Sequence, residues 1–577
     1  MYLAKNKSSD YYVLISETAS AQERFAGEEI QRFFLEATEA EIPISASKFT
    51  DKKRIELCVQ KAENDAFRIV TDDEYNYTVI GNNPHCVAYG AYAFLRETVG
   101  LEFFAPSAYS LKKGDVPCRK ICFESTADIA VRTAGMNPVH SEIRGDAFLP
   151  NCLRMGLRGM GEGWGLFTHT HFKILPPAVY KEKHPDWYAS NINQLCWTNE
   201  EMRAEFVERM KQIVLDNPTQ ERFMLGHEDG SKGRMCECPR CLKRVEELGG
   251  FKSAVAVEFT NEAVKSLNVW LKENVKDRNI EFSMFAYSST FLPPVKKVDG
   301  AFVPIKDFKV EDNLSIMIAP FGARGDLSYF DEANELSTGC CYRSLENYKT
   351  KDIFLGWSKI FKKICVWSYS IGYGDALAPF NSFYTFEKNY RKFKEIGVNY
   401  LFEQGNHTKY VANFNALRLY LSANLSWDTT LSTHNLLNRF FDGYFGKASK
   451  TMREYFDRLM QKCVDSGRPM TFARFDDYSD FSAPEYWTME ELLDLEKLVL
   501  LASSQVDGAE KVRVEEEGMP VWYILLYRYG YCLPKEKRKE VWQRFMAIAE
   551  KYEHDGTGGA DGTLDPKVFL KIKNTRF

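Results

Sequence analysis

Short apolar runs recur through the middle of the chain, separated by amphipathic helical stretches, and no other feature restricts the fold as much. The runs are 129–133, 223–225, 282–286, 314–318, 364–367 and 398–402. Helical patterns lie between several of them, at 202–214 and at 255–271 (VAVEFTNEAVKSLNVWL). Strand and helix alternating over such a length imply a parallel α/β fold. The span 126–410 is close to the roughly 250 residues of a (β/α)8 barrel, so a TIM-like barrel is expected, with some early strands hidden.

The flanking regions follow other patterns. Residues 1–125 read as a small α/β domain. A strand at 12–15 leads to a helix N-cap within 17–20, and Phe25, Ala26, Ile30, Phe33 and Phe34 give that helix an apolar face. Strands are expected at 54–59, 67–70 and 77–80. A second helix with Val87, Ala91, Phe94 and Leu95 inward should end at Gly100. Nothing catalytic stands out there. Residues 411–577 read as an all-helical C-terminal domain with an irregular Gly- and Asp-rich tail. A chain of 577 residues is too long for one core, so three domains are expected: 1–125, 126–410 and 411–577.

In a barrel of this kind, catalytic groups sit at the C-terminal ends of strands. The stretch 221–241, ERFMLGHEDGSKGRMCECPRC, fits that rule most closely. The strand Phe223-Met224-Leu225 stops at Gly226, and His227, Glu228 and Asp229 follow at once. Acids and a histidine at a buried strand exit are costly unless they have a role. Neighbours on a regular strand point to opposite faces, so the two acids can share a site only if the strand has ended by Gly226. The bland alternative is a solvated turn or a helix-capping pair.

Other strand exits are polar or aromatic too. They carry Asn137 and His140, then Tyr287, then Trp367, Tyr369 and Asp375, and last Glu403, Gln404 and Asn406. The loop-like stretch 161–199 adds Trp164, His169, His171, His184, Trp187 and Trp197. Together these would form a polar pocket with stacking platforms, which suits a sugar. Expected substrate contacts are Asn137, Trp164, His169, His171, His227, Tyr287, Trp367, Tyr369, Glu403 and Gln404; Glu403 also rivals the acidic pair for a catalytic part. Aromatics make up 14% of the chain, which fits either carbohydrate stacking or large aromatic cores.

His169 and His171, two apart, would face one side of a strand like a metal pair, yet no third ligand is evident. Cys236, Cys238 and Cys241 form C-x-C-x2-C and can bind zinc if His227 or a distant group supplies a fourth ligand. A local disulfide and reduced structural thiols are the alternatives, and reduced thiols are the simplest. No metal and no cofactor are expected. The net charge of -5, without a basic block, argues against nucleic acid. No stretch has the length of a transmembrane helix, and the N-terminus lacks an apolar signal region, so the chain reads as cytoplasmic. A secreted or periplasmic protein with its signal removed would look the same. Oligomeric state is not legible.

The segments AYGAYAFLRETVGLEFFAP (88–106), HPDWYA (184–189), CWTNEEM (196–202), CECPRC (236–241), FEQGNH (402–407) and YLSANLSWD (420–428) carry a resemblance. The first resembles the small domain that precedes the barrel in α-glucuronidases and β-hexosaminidases. The series resembles a large bacterial family that includes glycoside hydrolase family 163. Those enzymes are endo-β-N-acetylglucosaminidases that cut complex N-glycans within the chitobiose core. The resemblance implies a glycan substrate and a retaining, substrate-assisted mechanism, in which the 2-acetamido oxygen attacks the anomeric carbon. One carboxyl group then protonates the leaving oxygen and another holds the acetamide N–H. Hexosaminidases carry the adjacent pair as Asp-Glu; here the order is reversed, and the roles expected are Glu228 as acid and Asp229 as polariser. An exo-acting β-N-acetylhexosaminidase, an inverting α-glucuronidase with Glu403 or Asp375 as base, and a non-catalytic glycan-binding protein are the alternatives.

Overall fold

A computed structural model of the chain describes residues 1–137, 139, 148–190, 193–229, 235–336, 348–372, 377–405, 413–467, 469–472 and 486–551. His140, Asp375, Asn406 and the tail beyond 551 lie outside the described residues.

The N-terminal part is a six-stranded mixed sheet. Its strands are β1 (Tyr11–Leu14), β2 (Ile44–Ser45), β3 (Lys53–Val59), β4 (Ala66–Thr71), β5 (Tyr77–Gly81) and β6 (Phe123–Thr126), in the order β6-β4-β5-β3-β1-β2. Two helices, α1 (Ala21–Thr38) and α2 (Pro84–Val99), pack together on it. Ser20 caps α1: its Oγ accepts the Glu23 N–H at 3.2 Å while the Glu23 carboxylate accepts the Ser20 N–H at 2.9 Å. This reciprocal arrangement satisfies two amides that the first turn leaves free. The α2 helix stops at Gly100, whose φ of 65° suits glycine.

Seven parallel strands follow: β7 (Val131–Gly135), β8 (Trp164–Leu166), β9 (Arg222–Met224), β10 (Glu281–Ala286), β11 (Leu314–Ile318), β12 (Ile364–Tyr369) and β13 (Val398–Gln404). Their order is β7-β13-β12-β11-β10-β9-β8, so the first strand pairs with the last. That pairing requires the sheet to curl. The inward side chains prove the curl, because Val131, Trp164, Met224, Phe285, Met317, Cys365, Tyr400 and Phe402 form one cluster fed by all seven strands. The outward residues, among them Phe223, Phe282, Ile316, Val366 and Leu401, join the core shared with the helices.

Eight strands were expected; among the described residues there are seven. Between β7 and β8, where an eighth would complete the ring, a single parallel bridge joins Thr133 to Arg158. β8 itself falls in the stretch read as loop from sequence. It has only three residues and carries Gly165, where a Cβ would lie 2.3 Å from the Phe223 ring.

Among the described residues, five helices of eight or more residues surround the sheet: α3 (Glu200–Asp216), α4 (Pro239–Glu247), α5 (Lys252–Asn274), α6 (Thr350–Trp357) and α7 (Phe386–Glu395). In α3, Met202, Phe206, Met210 and Val214 are buried at a four-residue spacing, the stripe of a surface helix. Seven more follow: α8 (Asn415–Trp427), α9 (Thr433–Phe445), α10 (Ser449–Asp465), α11 (Met489–Gln505), α12 (Gly508–Glu517), α13 (Met519–Tyr529) and α14 (Lys535–Lys551). Their core is continuous with that of the barrel's outer face. No helix among the described residues is long and apolar enough to cross a membrane.

A buried ion cluster joins the N-terminal sheet to the first barrel strand. The Asp65 carboxylate accepts from Arg132 Nη2 at 3.2 Å, from Asn83 Nδ2 at 2.8 Å, and from Arg158. Burial alone would raise Asp65, but the two guanidiniums outweigh it and hold the carboxyl down at about 2.

Candidate active site

The exits of β8 and β9 are tied together by their backbones. Thr170 donates its N–H to Gly226 O at 2.9 Å and its hydroxyl to Met224 O at 2.6 Å, and it accepts the Gly226 N–H at 3.1 Å. Gly226 is required here, since a Cβ would lie 2.5 Å from Thr168 O and 2.8 Å from the Phe285 ring. Thr168 has φ of 71°, a strained value for a β-branched residue and a mark of over-determined local structure.

β9 ends at Met224, so the strand has stopped before the acids begin, as the pairing of Glu228 with Asp229 requires. Glu228 is half-buried and Asp229 exposed. Glu228 is held at three points. Its Oε1 accepts the Phe172 N–H at 2.7 Å, and the Gln194 amide donates to its carbonyl at 2.7 Å and accepts its N–H at 3.0 Å. Asp229 Oδ1 faces Tyr287 Oη at 3.4 Å.

An aromatic wall stands beside the pair. Tyr287 lies 6.0 Å from the His169 ring and 6.5 Å from that of His227. His169 Nδ1 meets His227 O at 2.5 Å. Further round, Trp367 stacks on Phe167 at 5.7 Å and 14° and donates its Nε1–H to Gln404 Oε1 at 2.6 Å. Phe285 bridges the two groups, 5.2 Å from His169 and 6.1 Å from Trp367. His169, Glu228, Asp229, Tyr287, Trp367 and Gln404 therefore gather at the C-terminal mouth.

The remaining expected contacts lie elsewhere. Trp164 starts β8 opposite Arg222, at the N-terminal end of the barrel, and packs edge-on against Tyr400 at 5.4 Å. It is floor, not mouth. His171 is enclosed by Trp197, Phe206 and Phe259, and burial pushes its imidazole down to about 3. It is a neutral core residue. His227 is 4% exposed, and burial, then His169 and His171, hold it well below the usual histidine range. Its carbonyl meets His169, and its ring packs behind Tyr287. Tyr369 packs against Phe321 and Phe472 at 5.1 and 5.8 Å, and Asn137 is buried with its carbonyl bound by Asn415. His184, not one of the expected contacts, stacks on Trp187 of the next short helical turn at 4.0 Å.

Glu403 lies apart from the acidic pair. Tyr400 and Phe402 face inward on β13, so Glu403 faces outward, beneath the helices. It is 1% exposed and its Oε2 accepts the Tyr390 hydroxyl at 2.8 Å. Burial lifts its carboxyl to about 7, opposed by hydrogen bonds from Tyr390, Ser368 and Ser370. It does not reach the mouth.

Gln194, Phe167 and Phe285 were not foreseen. Phe167 and Phe285 are ordinary apolar residues whose place depends on the curl of the sheet, and Gln194 sits in a loop without periodicity. Cys196 was missed as well: its Sγ joins those of Cys236, Cys238 and Cys241, all within 4.8 Å of one another.

The fold is similar to that of solved glycoside hydrolases. BtGH115A, a family GH115 4-O-methyl-α-glucuronidase with specificity for decorated arabinogalactans, matches with TM-score 0.61 and 12% identity, over 100% of this chain and 80% of that one. A GH138 enzyme targeting pectin rhamnogalacturonan II matches with TM-score 0.48 and 11% identity, over 98% and 91% of the two chains. CpGH89 from Clostridium perfringens, in complex with GlcNAc-α-1,4-galactose, gives 0.48 and 11%, over 92% and 65%. No curated protein matches the sequence. The likeness to BtGH115A shows a glycoside-hydrolase-like barrel fold. The family model for a domain of unknown function, DUF4838, matches residues 140–457, more than half of the chain and all of the described acidic site, and the chain belongs to that family.

Proposed function

We propose that the chain is a glycoside hydrolase whose active centre is the exit of β9. The observation that carries this is the pair of adjacent carboxylates there, Glu228 fixed at three points and Asp229 facing the Tyr287 hydroxyl at 3.4 Å. Glycosidic cleavage needs two carboxyl groups beside the bond, and sugar rings need flat apolar partners such as Tyr287 and Trp367.

The finer reading is a retaining endo-β-N-acetylglucosaminidase acting on the chitobiose core of N-glycans. The substrate's acetamide oxygen attacks the anomeric carbon and the glycosidic C–O bond breaks. Glu228 gives its proton to the leaving oxygen. Asp229 accepts the acetamide N–H and stabilises the oxazolinium, with Tyr287 completing that pocket. Glu228 then takes a proton from the water that opens the ring, which restores the starting state. HPDWYA, CECPRC and FEQGNH resemble a large bacterial family that includes glycoside hydrolase family 163, which supports this choice of substrate.

The test is a product assay on a biantennary complex N-glycoprotein, wild type beside Glu228→Gln, read by mass spectrometry. Release of a glycan one N-acetylglucosamine short by wild type alone is the expected result. An intact glycan with wild type would sink the endo reading. An exo-acting α-glucuronidase is the second reading, favoured by the whole-chain fold match to BtGH115A. With Glu403 turned toward the helices, Asp375 is the base this reading would use, and cleavage of an aryl α-glucuronide would select this reading. A non-catalytic glycan-binding protein would bind the glycan, release nothing, and be indifferent to Glu228→Gln.

A further inference from the structure

Four thiols from two separate segments meet at the start of α4. Cys196 comes from the loop before α3; Cys236, Cys238 and Cys241 come from the segment that follows the acidic pair. Cys196 Sγ lies 3.6 Å from Cys238 Sγ and 3.7 Å from Cys241 Sγ, and all four sulfurs lie within 4.8 Å of one another. A disulfide would bring two sulfurs to about 2 Å, so none is formed among them. Zinc–sulfur bonds of about 2.3 Å in a tetrahedron put the sulfurs about 3.8 Å apart, close to the two separations seen.

The surroundings suit anionic sulfur. Cys238 is the N-cap of α4 and Cys241 lies in its first turn, where unpaired N–H groups favour negative charge. The Arg240 guanidinium stands beside Cys238, and Thr198 Oγ1 lies 3.1 Å from Cys241 Sγ. Cys196, Cys236 and Cys241 are buried and Cys238 half-buried, so the group is shielded on most sides. An all-thiolate set selects a soft tetrahedral ion over magnesium or calcium.

We propose that Cys196, Cys236, Cys238 and Cys241 form a structural zinc site. Four protein ligands leave no open position, so the ion does not touch substrate. Its work is positional. Gln194, two residues before Cys196, clamps the backbone of Glu228, and Cys236 follows the same strand exit. The ion would therefore staple the clamp to the loop it holds. The metal claim does not depend on what Glu228 does.

The experiment uses the full chain purified under reducing conditions without added metal. Elemental analysis should find one zinc per chain, released by a thiol-specific mercurial. Mapped alkylation should find the four cysteines protected roughly tenfold relative to the chelator-treated protein. Cobalt added to the metal-free chain should give the absorption bands of a tetrahedral tetrathiolate, lost in Cys236→Ser. Alkylation of the wild type keeps the test valid where that variant fails to fold. Absence of zinc with no uptake of zinc or cobalt by the folded chain would overturn the inference, as would a disulfide among the four or iron in zinc's place. Stoichiometric zinc in a protein that cleaves no glycan would leave the site standing and remove the hydrolase reading.

Discussion

Glu228 and Glu403 both sit at C-terminal strand exits of one parallel sheet, and they face opposite worlds. Glu228 follows a strand that has already ended, and it lies at the mouth with a backbone N–H on its carboxylate. Glu403 is the sixth of seven residues in β13, still under strand alternation, and that alternation turns it away from Phe402 and into the helices. Position at a strand exit therefore does not by itself bring an acid to the mouth. What matters is whether the strand is still regular when the acid arrives.

The largest effect expected is from Glu228→Gln, which should lower glycan release by about a hundredfold or more while thermal unfolding stays unchanged. Glu403→Gln, measured the same way, should leave turnover within about threefold of wild type. Loss of activity in Glu403→Gln without loss of stability would break the comparison.

Next comes pH. Glu403 titrates at about 7 in the fold, above the usual carboxyl value, so the native state keeps a proton that the unfolded chain has released. Stability must then fall as pH rises through the window from about 4.5 to 7, by on the order of 3 kcal/mol. Glu403→Gln removes that slope. Urea unfolding of both proteins at the two ends of the window checks it, and equal slopes would contradict the buried placement.

His171 gives a smaller effect of opposite sense. Its pKa is lowered to about 3, so the unfolded chain takes up a proton that the native core refuses. Stability should fall as pH drops below about 6.5, losing about 2 kcal/mol by pH 5. His171→Leu should flatten that fall, while a His169 variant, at the mouth, should affect turnover instead. The smallest change sharpens the other side of the comparison. Gln194→Ala leaves the acids intact but frees the Glu228 backbone, and it should lower kcat about tenfold with little change in KM.

The long strands and amphipathic helices were legible because burial on one or both faces demands regular apolar spacing, as in Leu314–Ile318 and in α3. The acidic pair was legible because glycine and charge interrupt an apolar run. Trp164–Leu166 was not, since three residues around a glycine carry no period. The orientation of Glu403 was hidden for another reason. β13 is apolar on both faces, Tyr400 and Phe402 on one and Leu401 on the other, so hydrophobicity could not say which face was inner. The fourth thiol, Cys196, lies forty residues from Cys236 in sequence, and only the fold brings them together.

The Asp65 cluster bears on how such a chain is made. Synthesis runs from the N-terminus, so Asp65 leaves the ribosome well before Arg132 and Arg158, which it will bind. Five of the six strands of the N-terminal sheet, up to Gly81, are made about fifty residues before Val131 opens the first barrel strand. Arg132 also donates to Ile129 O at 2.9 Å and lies over the Trp427 ring at 4.7 Å, so the same guanidinium meets the end of α8, nearly three hundred residues later. One buried cation thus touches the first and the last stretches of the barrel region, and a version of this chain begun at the barrel would have to bury Arg132 without Asp65.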